Sequence, residues 1–416
     1  MEVAIIGGGI AGLEAARVLA EHHVDVTLLE GSDRVGGRIR TVYEAGEDLP
    51  IELGPEYVHG DPDILEGLAR GAPVALDDTS ATYHALRDGR LVEADDLWKR
   101  FGELLAPVHD LAQDRSARDY LDRARLSPND ADLLGTFIEG FYGATLDTIS
   151  IKSVADDAGG AGDDGANPRT RDGYGRLVGW LVDRLVAHRV PIALGRVVRA
   201  IDWRGDRVVI DAGEDVVARR AIITLPLGVL QAGDVRFAPA LGDHGAALAR
   251  LAMGQVVKVV LSLRAPIWRD VVDDLSFVRA HGQPFPTCWV RSRGNSHHVT
   301  AWAGGPHARA LAALSRDHVV DRAVTTFAAC LGVPASRLAT AVRAAYMHDF
   351  GRDPFVRGAY SYARPGGLDA PAVLERPLAD RLVFAGEATS GPYEGTVTGA
   401  LASGARAAGQ ILRMRA

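Results

Sequence analysis

Gly7-Gly8-Gly9-Ile10-Ala11-Gly12 carries the spacing G-x-G-x-x-G near the start of a 416-residue chain. Glycine at these positions lets the backbone turn sharply. It also lets N–H groups approach a pyrophosphate at a helix N-terminus, where the dipole favours an anion. Glu30 comes eighteen residues after Gly12, where a carboxylate ending the next strand can accept hydrogen bonds from ribose hydroxyls. The second chemical candidate is Lys258. The chain has only three lysines, Lys99, Lys152 and Lys258, and the last stands inside the apolar run Val256-Val257-Lys258-Val259-Val260-Leu261. An unpaired ammonium is costly in such a run. Either this lysine has a task, or its strand lies at an edge and the side chain reaches solvent with its tip.

Two further stretches bear on the nucleotide. Ser32-Asp33-Arg34-Val35-Gly36-Gly37-Arg38 follows Glu30 almost directly. Its paired glycines and two arginines resemble the second phosphate-contacting motif of FAD enzymes, which ordinary NAD dehydrogenases lack; the plain alternative is a solvated charged turn. Near the other end, Leu382-Val383-Phe384-Ala385-Gly386-Glu387-Ala388-Thr389 precedes a glycine-spaced stretch from Gly395 to Gly404. A strand delivering Glu387 into a turn at Gly386, ahead of a small-residue helix, suits a ribityl chain and the pyrimidine edge of a flavin. The helix N-terminus there would stabilise negative charge at N1 and O2 of the ring.

The elements needed to position these groups are readable from hydrophobic patterning. Val3-Ala4-Ile5-Ile6 reads as a buried parallel strand, residues 10–21 as a helix and Val24 to Leu29 as a second strand, a βαβ unit. Residues 31–73 read as coil and turns, and residues 96–125 and 127–142 as helices with apolar positions at three and four spacing. Residues 156–167 contain only Gly, Ala, Asp and Asn and read as a surface loop, with a lid as the alternative. A helix is expected over 174–187, and a meander over 197–203, 207–211 and 221–225. Strands are expected over 256–263 and 382–385, and helices over 317–331 and 397–413. Strands of one sheet thus come from the beginning, the middle and the end of the chain.

Composition narrows the class. Apolar residues make up 47% and charged residues 24%, and the net charge is −8, so no basic field exists to hold nucleic acid or an anionic membrane. Two cysteines, Cys288 and Cys330, are too few for a disulfide framework or a thiolate metal cluster, and no metal site is expected. No apolar run reaches the ~18 residues of a membrane span. A structural strand begins almost at the N-terminus, where a signal peptide would stand. The expectation is a cytoplasmic protein.

With these motifs the sequence resembles the flavin-containing amine oxidase family, which includes monoamine oxidases, polyamine oxidases and the flavin-type histone lysine demethylases. The resemblance also rests on Ile51-Glu52-Leu53-Gly54-Pro55-Glu56-Tyr57-Val58-His59-Gly60, Gly140-Phe141-Tyr142-Gly143-Ala144 and Arg171-Asp172-Gly173-Tyr174-Gly175. Thr224-Leu225-Pro226-Leu227-Gly228-Val229-Leu230 and residues 353–362, DPFVRGAYSY, match as well. It implies a two-domain α/β fold: a Rossmann-like FAD-binding domain from 1–74, 175–240 and 375–416, and an interleaved α+β substrate domain from 75–174 and 241–374. It also implies that Gly7, Gly9, Ile10, Ala11, Gly12, Glu30, Arg34, Gly36, Gly37, Arg38, Gly386 and Glu387 contact FAD together with Gly54, Pro55, Glu56, Val198, Pro226, Thr396 and Val397. Ala359 stands where covalently flavinylated relatives carry Cys, which implies noncovalent FAD.

The same resemblance implies the catalytic group. Lys258 matches a lysine held through a water near flavin N5, where positive charge assists the reaction with dioxygen. Tyr360 matches a tyrosine beside the flavin face, and Thr396 occupies the partner position, as in the demethylases rather than the two-tyrosine monoamine oxidases. Tyr393 lies nearby and lines the pocket. His59 stands where polyamine oxidases place a His or Glu toward substrate; a histidine titrating near neutral pH would bind an amine or help keep it neutral. Phe350 takes the place of a common Trp. The implied reaction is hydride transfer from a primary or secondary amine to flavin N5, giving an imine, and then reoxidation by dioxygen to hydrogen peroxide. An L-amino acid oxidase, a desaturase or protoporphyrinogen-type oxidase, and a noncatalytic FAD-holding module are the competing readings. The first is disfavoured because residues 54–57 contain no arginine to hold a carboxylate.

Overall fold

Val3–Ile6 is buried along its whole length in a computed structural model of the chain, which describes residues 1–60, 62–77, 82–94, 97–160 and 168–414. It is the middle strand of a five-stranded parallel sheet ordered Leu382–Phe384, Arg220–Ile223, Val3–Ile6, Val26–Leu29, Ile192–Ala193. Continuous apolar strands of this kind need cover on both faces. On one face Val3, Ile5, Leu28, Ile222 and Val383 pack with helices Ile10–Glu21, Gly175–Ala187 and Val397–Arg413. On the other, Ala4, Ile6, Leu29, Ala221 and Phe384 pack on a four-stranded sheet built from residues 200–238. The first and last helices approach so closely that a Cβ on Gly404 would stand 2.3 Å from the Ala11 carbonyl oxygen. That contact is the reason the C-terminal helix is built of small residues.

Residues 220–223 depart from the sequence expectation. They do not end the meander but join the parallel sheet between Val3–Ile6 and Leu382–Phe384. The meander is closed instead by Asp215–Ala218, which pairs with Val208–Asp211. All four residues of Arg220–Ile223 are buried, whereas Asp215–Ala218 is largely open. The expected coil over 31–73 holds a short antiparallel pair, Thr41–Val42 with Ile51–Glu52, and the helix Pro62–Leu68. Two-residue strands are too short to give a period. The helical stretch 96–125 divides into Leu97–Leu105, a 3₁₀ turn at Ala106–Asp110 and Ala117–Arg123, whose N-cap Ser116 accepts from the Asp119 N–H. Residues 156–160, expected as loop, finish the helix Ile151–Gly160. The rest of that expectation, 161–167, lies outside the described residues.

A second sheet of seven strands positions Lys258. Its order is Val342–Tyr346, Val256–Leu263, Ser296–Gly304, Thr287–Arg293, Phe277–Arg279, Tyr83–Arg87, Arg90–Glu93. Val342–Tyr346 pairs with the Lys258 strand only over Val260–Leu263, so Lys258 has a strand partner, Trp302, on one side; what removes the solvent-reaching reading is its burial. Its pleat alternates: Val257, Val259 and Leu261 face a core with Trp268, Phe285 and Phe327, while Val260 turns toward Ile51 and Leu53. Lys258 shares that second side, and it is buried. The antiparallel pair Leu251–Met253 with Ser361–Ala363 leads into this sheet and brings Tyr360 close to it. Among the described residues, no helix is long and apolar enough to cross a membrane.

Candidate active site

A cavity of about 2620 Å³ runs between the two sheets. That is several times the volume of an ordinary small-ligand pocket, enough for a dinucleotide and a substrate together. Every candidate named from the sequence lines it except Gly12. Gly12 packs behind the wall: a Cβ there would stand 2.0 Å from the Gly7 carbonyl oxygen, so glycine is needed for the turn to close on its own helix. Gly7 itself has φ +109°, and a Cβ would meet Thr224 Oγ1 at 2.5 Å. Gly9 is different. Nothing lies within 4 Å of its would-be Cβ.

This end of the cavity fits a nucleotide. The helix Ile10–Glu21 has Gly9 as N-cap, no capping side chain and no acid in its first turn, so an anion meets no competitor there. Glu30 accepts from the Gly8 N–H at 2.6 Å and the Ser32 N–H at 2.8 Å, which fixes its carboxylate at the end of the strand. Arg34, expected at a phosphate, spends its guanidinium on the carbonyls of Val35, Gly37 and Ile39 at 2.5–3.1 Å. It clasps its own loop, because the tight turn at Gly36 and Gly37, both at positive φ, leaves those carbonyls without helical or strand partners. Arg38 donates to the Ala359 carbonyl at 2.8 Å and to Glu387 at 2.7 Å. The other Glu387 oxygen accepts from Ser361 N–H and Oγ and from the Gly395 N–H. Glu387 therefore ties three distant segments together beneath the cavity. Val198, Pro226, Gly386 and Val397 complete this wall.

The other end is mostly aromatic. Tyr57, Phe141, Phe277, Trp289, Trp302 and Tyr360 line it. Lys258 Nζ donates to the Gly54 carbonyl at 3.1 Å and to Glu56 Oε2 at 3.0 Å. Glu56, expected at the cofactor, thus faces the lysine. Burial alone would raise its pKa, but the charges of Lys258, Arg169 and Arg291 outweigh that and hold it down at about 2. Tyr360 donates its hydroxyl to the Phe141 carbonyl, and burial raises its pKa. Thr396, expected beside the reacting amine, is the N-cap of the helix Val397–Arg413: its hydroxyl accepts from the Gly399 N–H at 2.9 Å and donates to the Tyr393 carbonyl. Its oxygen is spent on the helix terminus. Phe350 stacks edge-on against His348, and Tyr393 covers Gly60 so closely that a Cβ there would lie 2.7 Å from its ring.

His59 does not titrate near neutral pH. It stands edge-on to Phe141, with ring centroids 5.8 Å apart, and 6.2 Å from Tyr57. Burial among these rings lowers its pKa to about 4, so it is a neutral imidazole at physiological pH. Two acids that sequence reasoning missed share this region. Glu394 Oε1 is hydrogen-bonded with Ser361 Oγ at 2.9 Å, and burial together with the neighbouring Glu387 pushes its pKa up to about 8. Asp157 accepts from the Tyr142 hydroxyl at 2.7 Å, and burial raises its pKa too. Both line the cavity. Glu394 stands between Tyr393 and Gly395, a neighbourhood that could have flagged it; Asp157 sat in a stretch whose composition read as a surface loop or a lid, with no candidate residue in it. Arg169, also missed, meets Tyr57 and Glu56. It lies beside residues 54–57, but its charge is matched by Glu56 and it does not line the cavity.

The flavin-containing amine oxidoreductase family matches residues 10–412. Polyamine oxidase 2 of Arabidopsis thaliana is 28% identical over 451 residues, covering 99% of this chain and 88% of that protein. Lysine-specific histone demethylase 1 homolog 2 of Oryza sativa subsp. japonica is 27% identical over 99% of this chain, which spans 57% of that longer protein. Among solved structures, wild-type putrescine oxidase bound to putrescine shares the fold at a TM-score of 0.84 and 21% identity, covering 99% of each chain. Cyclohexylamine oxidase from Brevibacterium oxydans IH-35A does so at 0.83 and 21%, covering 99% of this chain and 98% of that one. A nucleotide cradle that opens into an aromatic chamber, and a family match over nearly the whole chain, lead to one conclusion: this chain belongs to the flavin-containing amine oxidoreductases.

Proposed function

We propose that the chain holds FAD noncovalently and oxidises a primary or secondary amine, with dioxygen as final electron acceptor and hydrogen peroxide as product. The observation that carries this is the single cavity joining the glycine turn at Gly7–Gly9 to the chamber with Lys258, Tyr360, His59 and Glu394. The division into an FAD-binding domain (1–74, 175–240, 375–416) and a substrate domain (75–174, 241–374) belongs to the same proposal. When bound, the flavin supplies an acceptor for a hydride equivalent from the carbon bearing the nitrogen and returns the electron pair to dioxygen. The protein's residues do the rest. The aromatic walls exclude water and orient the C–H bond. Neutral His59 accepts a hydrogen bond from an amine N–H. The Asp157 carboxylate attracts the incoming ammonium and can take up its proton, Glu394, largely protonated at neutral pH, offers a neutral hydrogen-bonding group, and Lys258 supplies fixed positive charge.

The reading is tested by following the visible spectrum of the protein anaerobically as amines and amino acids are added. Bleaching by amines and not by amino acids supports it; bleaching by amino acids alone moves the answer to an amino acid oxidase. A protein that takes up no flavin overturns both.

Glu394 gives a second, independent check. Its folded pKa of about 8 lies above the usual 4.5. Between those values the folded protein binds the proton more tightly than the unfolded chain, so its contribution to stability is full below about pH 4.5 and is lost as pH rises toward about 8. The melting temperature of Glu394→Gln is therefore expected to fall less over that window than that of the parent. Parallel melting curves at several pH values decide it.

A further inference from the structure

We propose that Glu56 is a positioning residue for Lys258: it fixes the ammonium at one point of the cavity wall and keeps it charged. Its kinetic consequence rests on the reading above, in which Lys258 assists the reaction with dioxygen. The geometry stands by itself. The Lys258 side chain is 4% exposed and that of Glu56 9%, so neither charge is solvated by bulk water. A buried ammonium without a counter-charge loses its proton readily. Two of the three Lys258 N–H groups go to Gly54 and Glu56. The third is left for a group in the cavity, which Lys258 lines.

Glu56 is itself held from three directions. Trp289 donates its indole N–H to the same oxygen that receives Lys258, at 3.0 Å. Arg169 Nε stands 3.5 Å from the other oxygen. The Lys258 ammonium lies 5.6 Å from the centre of the Trp289 ring, so the indole supports both members of the pair. The remaining charges around the pair do not replace Glu56. Arg291, on the strand with Trp289, is positive. His298 accepts no role here because it is engaged by Glu47 at 3.3 Å. Glu52, the other carboxyl near Lys258, is pushed by burial up to about 7. Without Glu56, then, Lys258 would face two guanidinium groups and be left with Glu52 as the nearby acid, whose oxygens are engaged by Thr41 Oγ1 and the Tyr174 N–H rather than by the ammonium.

Reoxidation moves two electrons and two protons from the reduced cofactor to one dioxygen, releasing one hydrogen peroxide. Lys258 gives up no proton in that balance. Its work is to oppose the negative charge developing on oxygen, so its charge state must hold throughout.

The scarcity of lysine makes a direct test practical. With lysine labelled by ¹³C at Cε, three signals are expected, and Lys258→Met identifies the one that matters. In the parent, with or without cofactor, that signal stays in place between about pH 6 and 9; in Glu56→Gln it moves within the window. In parallel, reoxidation of the reduced holoenzyme by dioxygen slows about tenfold in Glu56→Gln at the high-pH end and recovers toward the low end. Adding Glu56→Gln to Lys258→Met gives no further loss, because Glu56 acts only through the lysine. Glu56→Asp restores part of both readouts, and Trp289→Phe, which keeps the carboxylate, moves them in the same direction by less. A Lys258 signal in Glu56→Gln that follows the parent, or losses that multiply in the double variant, overturns the proposal. If Lys258→Met reoxidises at the parent rate, the role of Lys258 toward dioxygen fails. The lysine signal still decides whether Glu56 sets its charge.

Discussion

Lys258→Met is expected to slow reoxidation of the reduced enzyme by dioxygen by well over tenfold, an effect of the size seen when one fixed charge or donor is removed from a site of developing negative charge. Methionine keeps the length and apolar stem of lysine while deleting the only lysine charge in the cavity. The substitution also leaves Glu56 without its ammonium partner. Arg169 at 3.5 Å and the Trp289 indole at 3.0 Å remain to hold that carboxylate, so the protein is expected to stay folded. Stopped-flow mixing of the photoreduced holoenzyme with aerated buffer measures the step apart from amine oxidation. An unchanged rate would remove Lys258 from oxygen chemistry.

Gly12→Ala and Gly9→Ala are expected to separate folding from cofactor binding. The Gly12 methyl would stand 2.0 Å from the Gly7 carbonyl oxygen and 3.0 Å from Thr224 Oγ1. Backbone must move to admit it, so about 1–3 kcal/mol of overpacking strain falls on the turn that delivers the helix N-terminus. Both melting temperature and flavin content should drop sharply. At Gly9 the added methyl meets nothing within 4 Å, and the backbone, at φ −72°, is one that alanine adopts freely. Stability without cofactor should change little there, while the methyl occupies the space a pyrophosphate would use and flavin affinity falls. Melting curves and the absorbance of the purified variants read both effects. A Gly9→Ala protein that binds flavin as the parent does would place the phosphates elsewhere.

The contrast between these glycines reflects what the chain itself encodes. The strand Val3–Ile6 and the helices Ile10–Glu21 and Val397–Arg413 follow from hydrophobic runs, helical periodicity and small residues in local sequence. So does the placement of Gly7, Gly9, Gly12 and Glu30 at a strand–helix turn. These signals are local, and each is complete within about one turn or one strand. The seven-stranded sheet was less legible, because two of its longest strands, Thr287–Arg293 and Ser296–Gly304, mix polar and charged residues with apolar ones and its order joins residues far apart in sequence. Arg34 and Thr396 show the limit at single side chains. Their types suited a phosphate and a substrate, but the carbonyls left open by the Gly36–Gly37 turn and the free N–H groups of a helix terminus claimed them first.

The charge states were decided by the tertiary structure alone. His59 in isolation would titrate near neutrality; the rings of Tyr57 and Phe141, one from its own loop and one from a distant helix, hold it neutral. Glu56 and Glu394 are the same residue type, yet one lies near 2 and the other near 8. Glu56 meets Lys258, Arg169 and Arg291, brought in from three separate segments, while Glu394 meets burial and two other carboxylates, Glu387 and Asp157, against a single hydroxyl, Ser361. Local sequence sets which groups are present and on which element they stand. Desolvation and Coulomb energy depend on every neighbour within several ångströms, and those neighbours are assembled only when the sheets close on one another.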